Sequence, residues 1–521
     1  MNGRTQHPNW VVGIQARAAG TVLALAVVLV SAGITTQVAQ AQTFTTLYSF
    51  CSQGYPICPD GDWLTAGLVQ AFDGNFYGTT QFGGAYIYGG YGTVFKITPS
   101  GKLTTLYSFS DCCTDGYNPN AGLVQATNGN FYGTTLGIPA NGEGTVFKIT
   151  PSGVLTTLYS FCSQSGCTDG GLPYAGLIQA TDGNFYGTTY EGGTTTTDCS
   201  AGCGTVFKIT PSGKLTTLHS FNFTDGANPY AGLVQATNGS LYGTTYNGGA
   251  YKIGTVFKIT PSGELTTLHS FEGSEGYGPY AGLIQATDGN FYGTASLGGA
   301  YGDGTVFKIT PSGKLTTLQS FNGTDGYYLY AGLVQHTNGT FYGMTSLGGD
   351  YGDGTVFSLS VGLGPFVETL PTSGKVGAAV IILGSNLTGT TGVSFNGTAA
   401  TFTVVSSTEI KTNVPNGATT GTVTVTTPGG ALNSNVIFRV TPQIKSFSPT
   451  SGPVGTPVTI TGVSLTQTTK VTFGGVKATN FTVNSDTQVT AYVPTGAKTG
   501  HIAITTLGGT ATSSGIFTVT Q

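Results

Sequence analysis

The chain has 521 residues, with 84 Gly, 11% aromatic residues, only 8% charged residues and a net charge of −4. Average soluble domains carry about 25% charged residues and roughly 7% Gly, so this chain is glycine-rich and charge-poor. Its 39% hydrophobic content excludes disorder, the absence of a Gly-X-Y period excludes collagen, and the lack of any Lys/Arg run excludes the footprint of a nucleic-acid binder or a polybasic membrane segment.

Residues 1–41 read as a signal peptide. Arg4 and Arg17 precede a short apolar core, Thr21 to Val30, and Ala39-Gln40-Ala41 is an A-x-A cleavage site that makes Gln42 the expected mature start. The apolar core is too short to span a bilayer comfortably, and no membrane span is expected after processing. Without Arg4 and Arg17 the mature balance becomes 16 − 22 = −6. The eight cysteines fall in short local pairs, Cys51/Cys58, Cys112/Cys113, Cys162/Cys167 and Cys199/Cys203. In an exported chain an even count reads as disulfides, although spacing leaves 105 connectivities open. Metal ligation competes, but no pair has C-x-x-C spacing and no His lies nearby, so no metal and no cofactor is expected.

The strongest signal is self-similarity. Ala-Gly-Leu-(Val/Ile)-Gln begins at 66, 121, 175, 231, 281 and 331, and Gly-Thr-Val-Phe has its Thr at 93, 145, 205, 255, 305 and 355. Each unit holds four strand-like runs. In the fifth these are Gly282 to Ala286, Phe291 to Thr294, Thr305 to Thr310 and Leu315 to Phe321, separated by Asp288-Gly289, a Gly-rich loop and Pro311-Ser312-Gly313. A four-stranded meander repeated six times is the pattern of β-propeller blades. The sixth unit stops at Ser360 without its fourth run, whereas an orphan fourth run, Phe44 to Phe50, precedes the first unit. Pairing of 44–50 with 355–360 would close the ring and remove its free edge. The expectation is an all-β chain: a six-bladed β-propeller over 42–361, closed by its N-terminal strand, followed by two immunoglobulin-like β-sandwiches over 362–441 and 442–521.

The recurring Phe-Tyr-Gly-Thr-Thr, Gly-Thr-Val-Phe-Lys-Ile-Thr-Pro-Ser-Gly and Leu-Thr-Thr-Leu-Tyr-Ser-Phe phrases resemble the GloVer-type tandem repeat of exported bacterial proteins over about residues 44–360. The resemblance implies an exported repeat protein and no particular activity. After Ser360 a second repeat begins: Thr372-Ser-Gly-Lys-Val-Gly377 matches Thr450-Ser-Gly-Pro-Val-Gly455, and Val393-Ser-Phe-Asn-Gly397 matches Val471-Thr-Phe-Gly-Gly475. These phrases resemble the IPT/TIG immunoglobulin-like domains, which implies spacer, adhesion or interaction modules.

In a propeller the loops from fourth to first strand and from second to third share one face. That face carries the length differences, all eight cysteines and many tyrosines, and variable loops on a rigid scaffold are where binding usually lives. Tyr117, Tyr174, Tyr230, Tyr280 and Tyr327 are candidate ligand contacts, since a flat apolar ring with a polar tip suits sugar rings. Packing between blades is the competing role. Asp115, Asp169, Asp225, Glu275 and Asp325, with Asp60, recur in register, each followed by Gly; they are candidates for ligand contact, or simply form Asp-Gly turns. Gln70, Gln125, Gln179, Gln235, Gln285 and Gln335 recur in the first strand. No G-x-S-x-G, H-E-x-x-H or P-loop appears, and no catalytic residue is assigned. The reading is a non-catalytic, secreted or cell-surface binding protein, with a polysaccharide or surface protein as partner and no nucleic acid. Its rivals are a carbohydrate-active hydrolase or lyase using the recurring acids, and a structural envelope component.

Overall fold

The computed structural model describes residues 46–51, 58–71, 73–85, 90–110, 115–126, 128–137 and 143–521. The expected signal peptide, Cys112, Cys113 and residues 44 and 45 of the orphan run lie outside the described residues. Apart from one 3-10 turn at Ser165–Cys167, all regular structure among the described residues is β.

The repeat region forms six antiparallel meanders, five with four strands in sequence order and the sixth with three. In the second unit the strands are Val124–Gln125, Phe131–Thr135, Thr145–Ile149 and Leu155–Ser160. The first strand is shorter than the sequence pattern predicts. The Ala-Gly-Leu ahead of it serves the neighbouring unit instead: Thr79 Oγ1 donates to the Ala121 carbonyl at 3.0 Å, Thr134 to Ala175 at 3.1 Å and Thr188 to Ala231 at 2.9 Å. The Thr-Pro-Ser-Gly turns close the same way each time, with the Val154 N–H donating to Thr150 Oγ1 at 3.0 Å and the Gly153 N–H to the Thr150 carbonyl at 2.9 Å.

In the second to fifth units the second strand is buried on both faces, as Phe131–Thr135 is throughout, because a sheet between two neighbours has no solvent side. Its central Gly is required by packing. A Cβ on Gly133 would lie 2.6 Å from Phe147 Cζ and 2.9 Å from Leu123 Cδ2. Adjacent units lock through a Tyr-on-Phe stack: Tyr77 on Phe131 at 4.1 Å between ring centroids, Tyr132 on Phe185 at 4.0 Å, Tyr242 on Phe291 at 4.0 Å and Tyr292 on Phe341 at 4.4 Å. In the remaining pair of units, Tyr186 shares an apolar core with Leu241. Such ring pairs contribute about 0.5–1.5 kcal/mol beyond the area they bury.

Five apolar cores result, each built from two consecutive units. The outward face of the sixth sheet is uncovered: Val334 is 65% exposed, Tyr342 40%, Met344 53% and Val356 76%. The first unit correspondingly exposes Leu64 and Leu68. Residues 47–50 form no strand among the described residues, yet they stand where a fourth strand ahead of the first unit belongs. The Leu47 carbonyl oxygen lies 2.5 Å from where a Gly101 Cβ would be, as Leu106 does at 2.6 Å for Gly153 and Leu158 at 2.7 Å for Gly213. Phe50 packs edge-on against Phe95 at 5.0 Å, as Phe109 does against Phe147 at 5.4 Å. The free edge Thr355–Leu359 lines a groove of about 240 Å³ with Gln319, Phe321 and Asp325.

After the sixth sheet come two β-sandwiches with matching strand order. In the first, Glu368–Leu370, Ala379–Leu383, Glu409–Asn413 and Phe402–Val404 face a sheet of Thr398–Ala399, Gly392–Phe395, Val423–Thr427 and Gly430–Asn433. The second repeats this with Gln443–Ser448, Pro457–Val463, Gln488–Tyr492 and Phe481–Ser485 over Val476–Lys477, Thr468–Phe473, Gly500–Thr506, Gly509–Val519 and Ser451–Gly452. Each encloses its own core, around Phe395 and Phe438 in one and Phe473 and Phe517 in the other. Gln467 ties them together, accepting from the Thr420 N–H and donating to the Thr420 carbonyl, both at 2.9 Å. No helix among the described residues is long and apolar enough to cross a membrane.

Candidate functional site

The recurring acids do not converge. Five of the six are bonded to the side chain at one fixed position of the preceding fourth run. Tyr48 Oη donates to Asp60 at 2.8 Å, Tyr107 to Asp115 at 2.5 Å and Tyr159 to Asp169 at 2.7 Å, while His219 Nε2 meets Asp225 at 2.8 Å and His269 meets Glu275 at 2.5 Å. In the sixth place Gln319 replaces the aromatic residue, and Asp325 is bonded by Asn322 Nδ2 at 3.0 Å instead. Asp60, Asp115 and Asp169 are buried. The arrangement ties a strand end to the following loop.

The recurring glutamines also bond backbone. Gln125, Gln179, Gln235 and Gln285 donate to the carbonyls of Gly129, Gly183, Gly239 and Gly289 at 3.1–3.2 Å. Gln235 and Gln285 additionally accept from the N–H of Thr181 and Thr237 in the preceding unit, at 2.9 and 3.1 Å. Cys51–Cys58, Cys162–Cys167 and Cys199–Cys203 are disulfides, so three of the local pairs form as spaced. No cluster of three or more metal-ligating side chains exists among the described residues.

The tyrosines do converge, although not as one repeat position. Tyr174, Tyr230, Tyr280 and Tyr330 follow the fourth-to-first loop directly before Ala-Gly-Leu, and Tyr190 and Tyr246 follow the second strand. Tyr230 sits at the centre: its ring lies 5.2 Å from Tyr174, 4.6 Å from Tyr190, 5.5 Å from Tyr246 and 4.4 Å from Tyr280, the last a stacked pair. Tyr280 continues to Tyr330 at 5.1 Å, Tyr330 to Tyr328 at 5.8 Å and Tyr328 to Tyr327 at 5.1 Å. Tyr117 stands apart, packed on Tyr91 at 5.7 Å and bridged to Gly137.

This row is amphipathic. Its rings are half-buried except Tyr330, which is exposed. Burial pushes the hydroxyls of Tyr174, Tyr230, Tyr246 and Tyr280 above the ordinary tyrosine value, and for Tyr230 the neighbouring Tyr190 adds to the rise. They therefore stay protonated as hydrogen-bond donors and acceptors beside apolar ring faces.

Tyr190, Tyr246 and Tyr330 escaped the sequence reading, as did two acids at the end of the row, Glu143 and Glu191. The signal that finds them is departure from the repeat. At the place of Tyr190 the units carry Gln81, Leu136, Tyr246, Ser296 and Ser346, and at that of Glu191 they carry Phe82, Gly137, Asn247, Leu297 and Leu347. Burial pushes both carboxyls above the usual range, and Glu191 raises Glu143 further. A separate cleft of about 610 Å³ lies between Gln70, Ala71 and Gly74 of the first unit and Leu370, Phe402 and Lys411 of the first sandwich. It contains no tyrosine and no acid, so the candidate site is the aromatic row.

The sequence matches the family described as the Gloeobacter/Verrucomicrobia repeat over residues 30–200 and 193–405, and the IPT/TIG domain over 442–520. No curated protein matches. Among solved structures the chain is similar to SGBP-B from a xyloglucan utilization locus in Bacteroides uniformis, at 26% identity over 29% of this chain and 48% of that one, with a TM-score of 0.16. It is also similar to the surface glycan-binding protein PbSGBP-B from Prevotella bryantii, at 19% identity over 30% and 40%, with a TM-score of 0.23. The chain thus spans less than half the length of either protein. A gluconolactonase from Xanthomonas campestris matches at 13% identity over 58% of this chain and 87% of that one, with a TM-score of 0.35.

Proposed function

The chain belongs to the Gloeobacter/Verrucomicrobia repeat family and carries a C-terminal IPT/TIG domain, and from that premise we propose that it is a non-catalytic, exported or cell-surface binding protein whose tyrosine row holds a polysaccharide. The observation that carries this is the continuous contact of Tyr174, Tyr190, Tyr230, Tyr246, Tyr280 and Tyr330 across the third to sixth units. Stacked faces with protonated hydroxyls at their edges match a pyranose ring, which offers C–H faces and equatorial hydroxyls. Six units of one fold supply a rigid base, so little ordering cost opposes binding. The acids bonded within their own loops give no support to the rival hydrolase.

Three disulfides in the described residues favour an oxidising compartment, and the sandwiches, locked by Gln467, serve as a stiff spacer. The repeat region in this reading is a closed six-bladed propeller. The orphan run, through its described residues 47–50, adds the fourth strand to Thr355–Leu359, and Tyr342 stacks on Phe76 as the sixth Tyr-on-Phe or Tyr-on-Leu contact. Support comes from the two uncovered ends, which are the halves of an interface made five times elsewhere in the chain. The function is tested by affinity electrophoresis of the full chain through gels containing neutral, acidic or amino polysaccharides. Retardation that Tyr230→Ala abolishes supports it, and new reducing or unsaturated ends would favour an enzyme.

A further inference from the structure

Resting on the tyrosine row as the binding site, we infer that Glu143 and Glu191 set its ligand class, a glycan bearing free amino groups, by placing at the end of the row two carboxylates without a partner among the described residues.

One short stretch of backbone builds this corner. The Leu172 carbonyl accepts from the N–H of both Tyr174 at 2.9 Å and Tyr190 at 3.0 Å, while the Leu172 N–H donates to the Glu143 carbonyl at 2.9 Å. Gly171 pairs with Glu191 in both directions, at 2.9 and 3.1 Å. The side chain of Glu143 lies over Gly171, where a Cβ would come within 2.1 Å of its Oε2. Glycine at 171 thus leaves the space the carboxylate occupies. Both acids and the first two tyrosines of the row are held by residues 171 and 172.

Neither carboxylate has a hydrogen-bond or ion-pair partner among the described residues, whereas the lysine ion pairs that form there lie elsewhere, at Lys252–Asp198, Lys308–Asp288 and Lys411–Glu409. Two like charges drawn from water without a cation are costly, and a ligand cation removes that cost. Tyrosine faces carry negative potential and add to the attraction for an ammonium group. A uronic-acid polymer would meet two like charges in a half-buried corner and be repelled. The doublet occurs once. At the place of Glu143, Asp303 and Asp353 are also acidic, but the unit after Asp303 offers Leu347 where Glu191 would stand, and no unit other than the third has an acid at that place.

The test compares a glucosamine hexamer with its fully N-acetylated counterpart, by calorimetric titration of the full chain at about pH 6, on the acid side of an ordinary α-amine. The two share a backbone and differ in charge. We expect the glucosamine hexamer to bind roughly tenfold more tightly. The Glu143→Gln/Glu191→Gln variant should reduce that ratio to about one. Its melting temperature, measured alongside, checks that it is folded. Equal affinities in the parent, failure of the glucosamine hexamer to bind, or a preference surviving in the double glutamine variant each overturn the inference. Binding of either hexamer undiminished by Tyr230→Ala overturns the tyrosine site itself.

Discussion

Tyr48 donates its hydroxyl to Asp60 at 2.8 Å, and with that bond a residue ahead of the first unit occupies the place that Tyr107 and Tyr159 hold toward Asp115 and Asp169. Tyr48 thus bonds to the loop ahead of the first unit as a fourth-run residue does in the second and third units.

Ring closure gives a clean expectation for Tyr342, which is 40% exposed at the uncovered end. If 44–50 completes the sixth sheet and Tyr342 stacks on Phe76, Tyr342→Ser removes a core ring and costs about 3 kcal/mol. Substitution of an exposed ring would stay within about 0.5 kcal/mol. Thermal or denaturant unfolding of the variant distinguishes the two. A near-neutral result, repeated with Met344→Ser, would leave the ends apart.

Gly133→Ala tests the packing between second and third strands. The added methyl would lie 2.6 Å from Phe147 Cζ, so we expect a loss of about 1–3 kcal/mol from overpacking. Phe147→Leu in the same chain should recover part of it, because the ring edge that clashes is gone. Additive losses in the double variant would show that the Gly133 cost arises elsewhere.

The turn at Asp288 makes stability depend on pH. Burial pushes this carboxyl up, but the Lys308 ammonium and hydrogen bonds from Asn290 and Tyr292 outweigh it and hold it below the ordinary aspartate value. Lys308 Nζ lies 2.8 Å from Asp288 Oδ2. A carboxyl lowered in the folded state stabilises the fold above its unfolded pKa, and that contribution is lost as pH falls through the folded value. Asp288→Asn should therefore melt about 1–3 °C below the parent at pH 7, with the gap closing as pH falls below the ordinary aspartate value. A gap independent of pH would exclude the ionic contribution.

Much of the fold was legible because each unit repeats its own instructions. Asp-Gly and Pro-Ser-Gly turns, a central Gly in Phe-Tyr-Gly-Thr-Thr and alternating Leu-Thr-Thr-Leu runs fix a meander wherever they occur. The length of the first strand was not legible, since only the neighbouring unit's threonine shows that Ala121 or Ala175 is already engaged. The site was half legible. Repeat register drew attention to Asp115 and Asp169, which serve loop geometry, while the row depends on residues that break register. Tyr117 and Tyr174 look alike in a composition of loops, yet they stand at different repeat positions, and only Tyr174 reaches Tyr230. Glu143 and Glu191 are 48 residues apart by number (191 − 143) and meet only through Gly171, which no linear pattern announces.

The central claim is that the tyrosine row binds a polysaccharide, and the most direct measurement is affinity electrophoresis of parent, Tyr230→Ala and Tyr351→Ala chains through polysaccharide-containing gels. Tyr230 is the centre of the row, whereas Tyr351 is 94% exposed and has no ring partner among the described residues. The account predicts retardation of the parent, loss of at least about tenfold in affinity for Tyr230→Ala, since a central stacking ring contributes about 1–3 kcal/mol, and parental behaviour for Tyr351→Ala. Free migration of the parent through every gel, or retardation untouched by Tyr230→Ala, would contradict it.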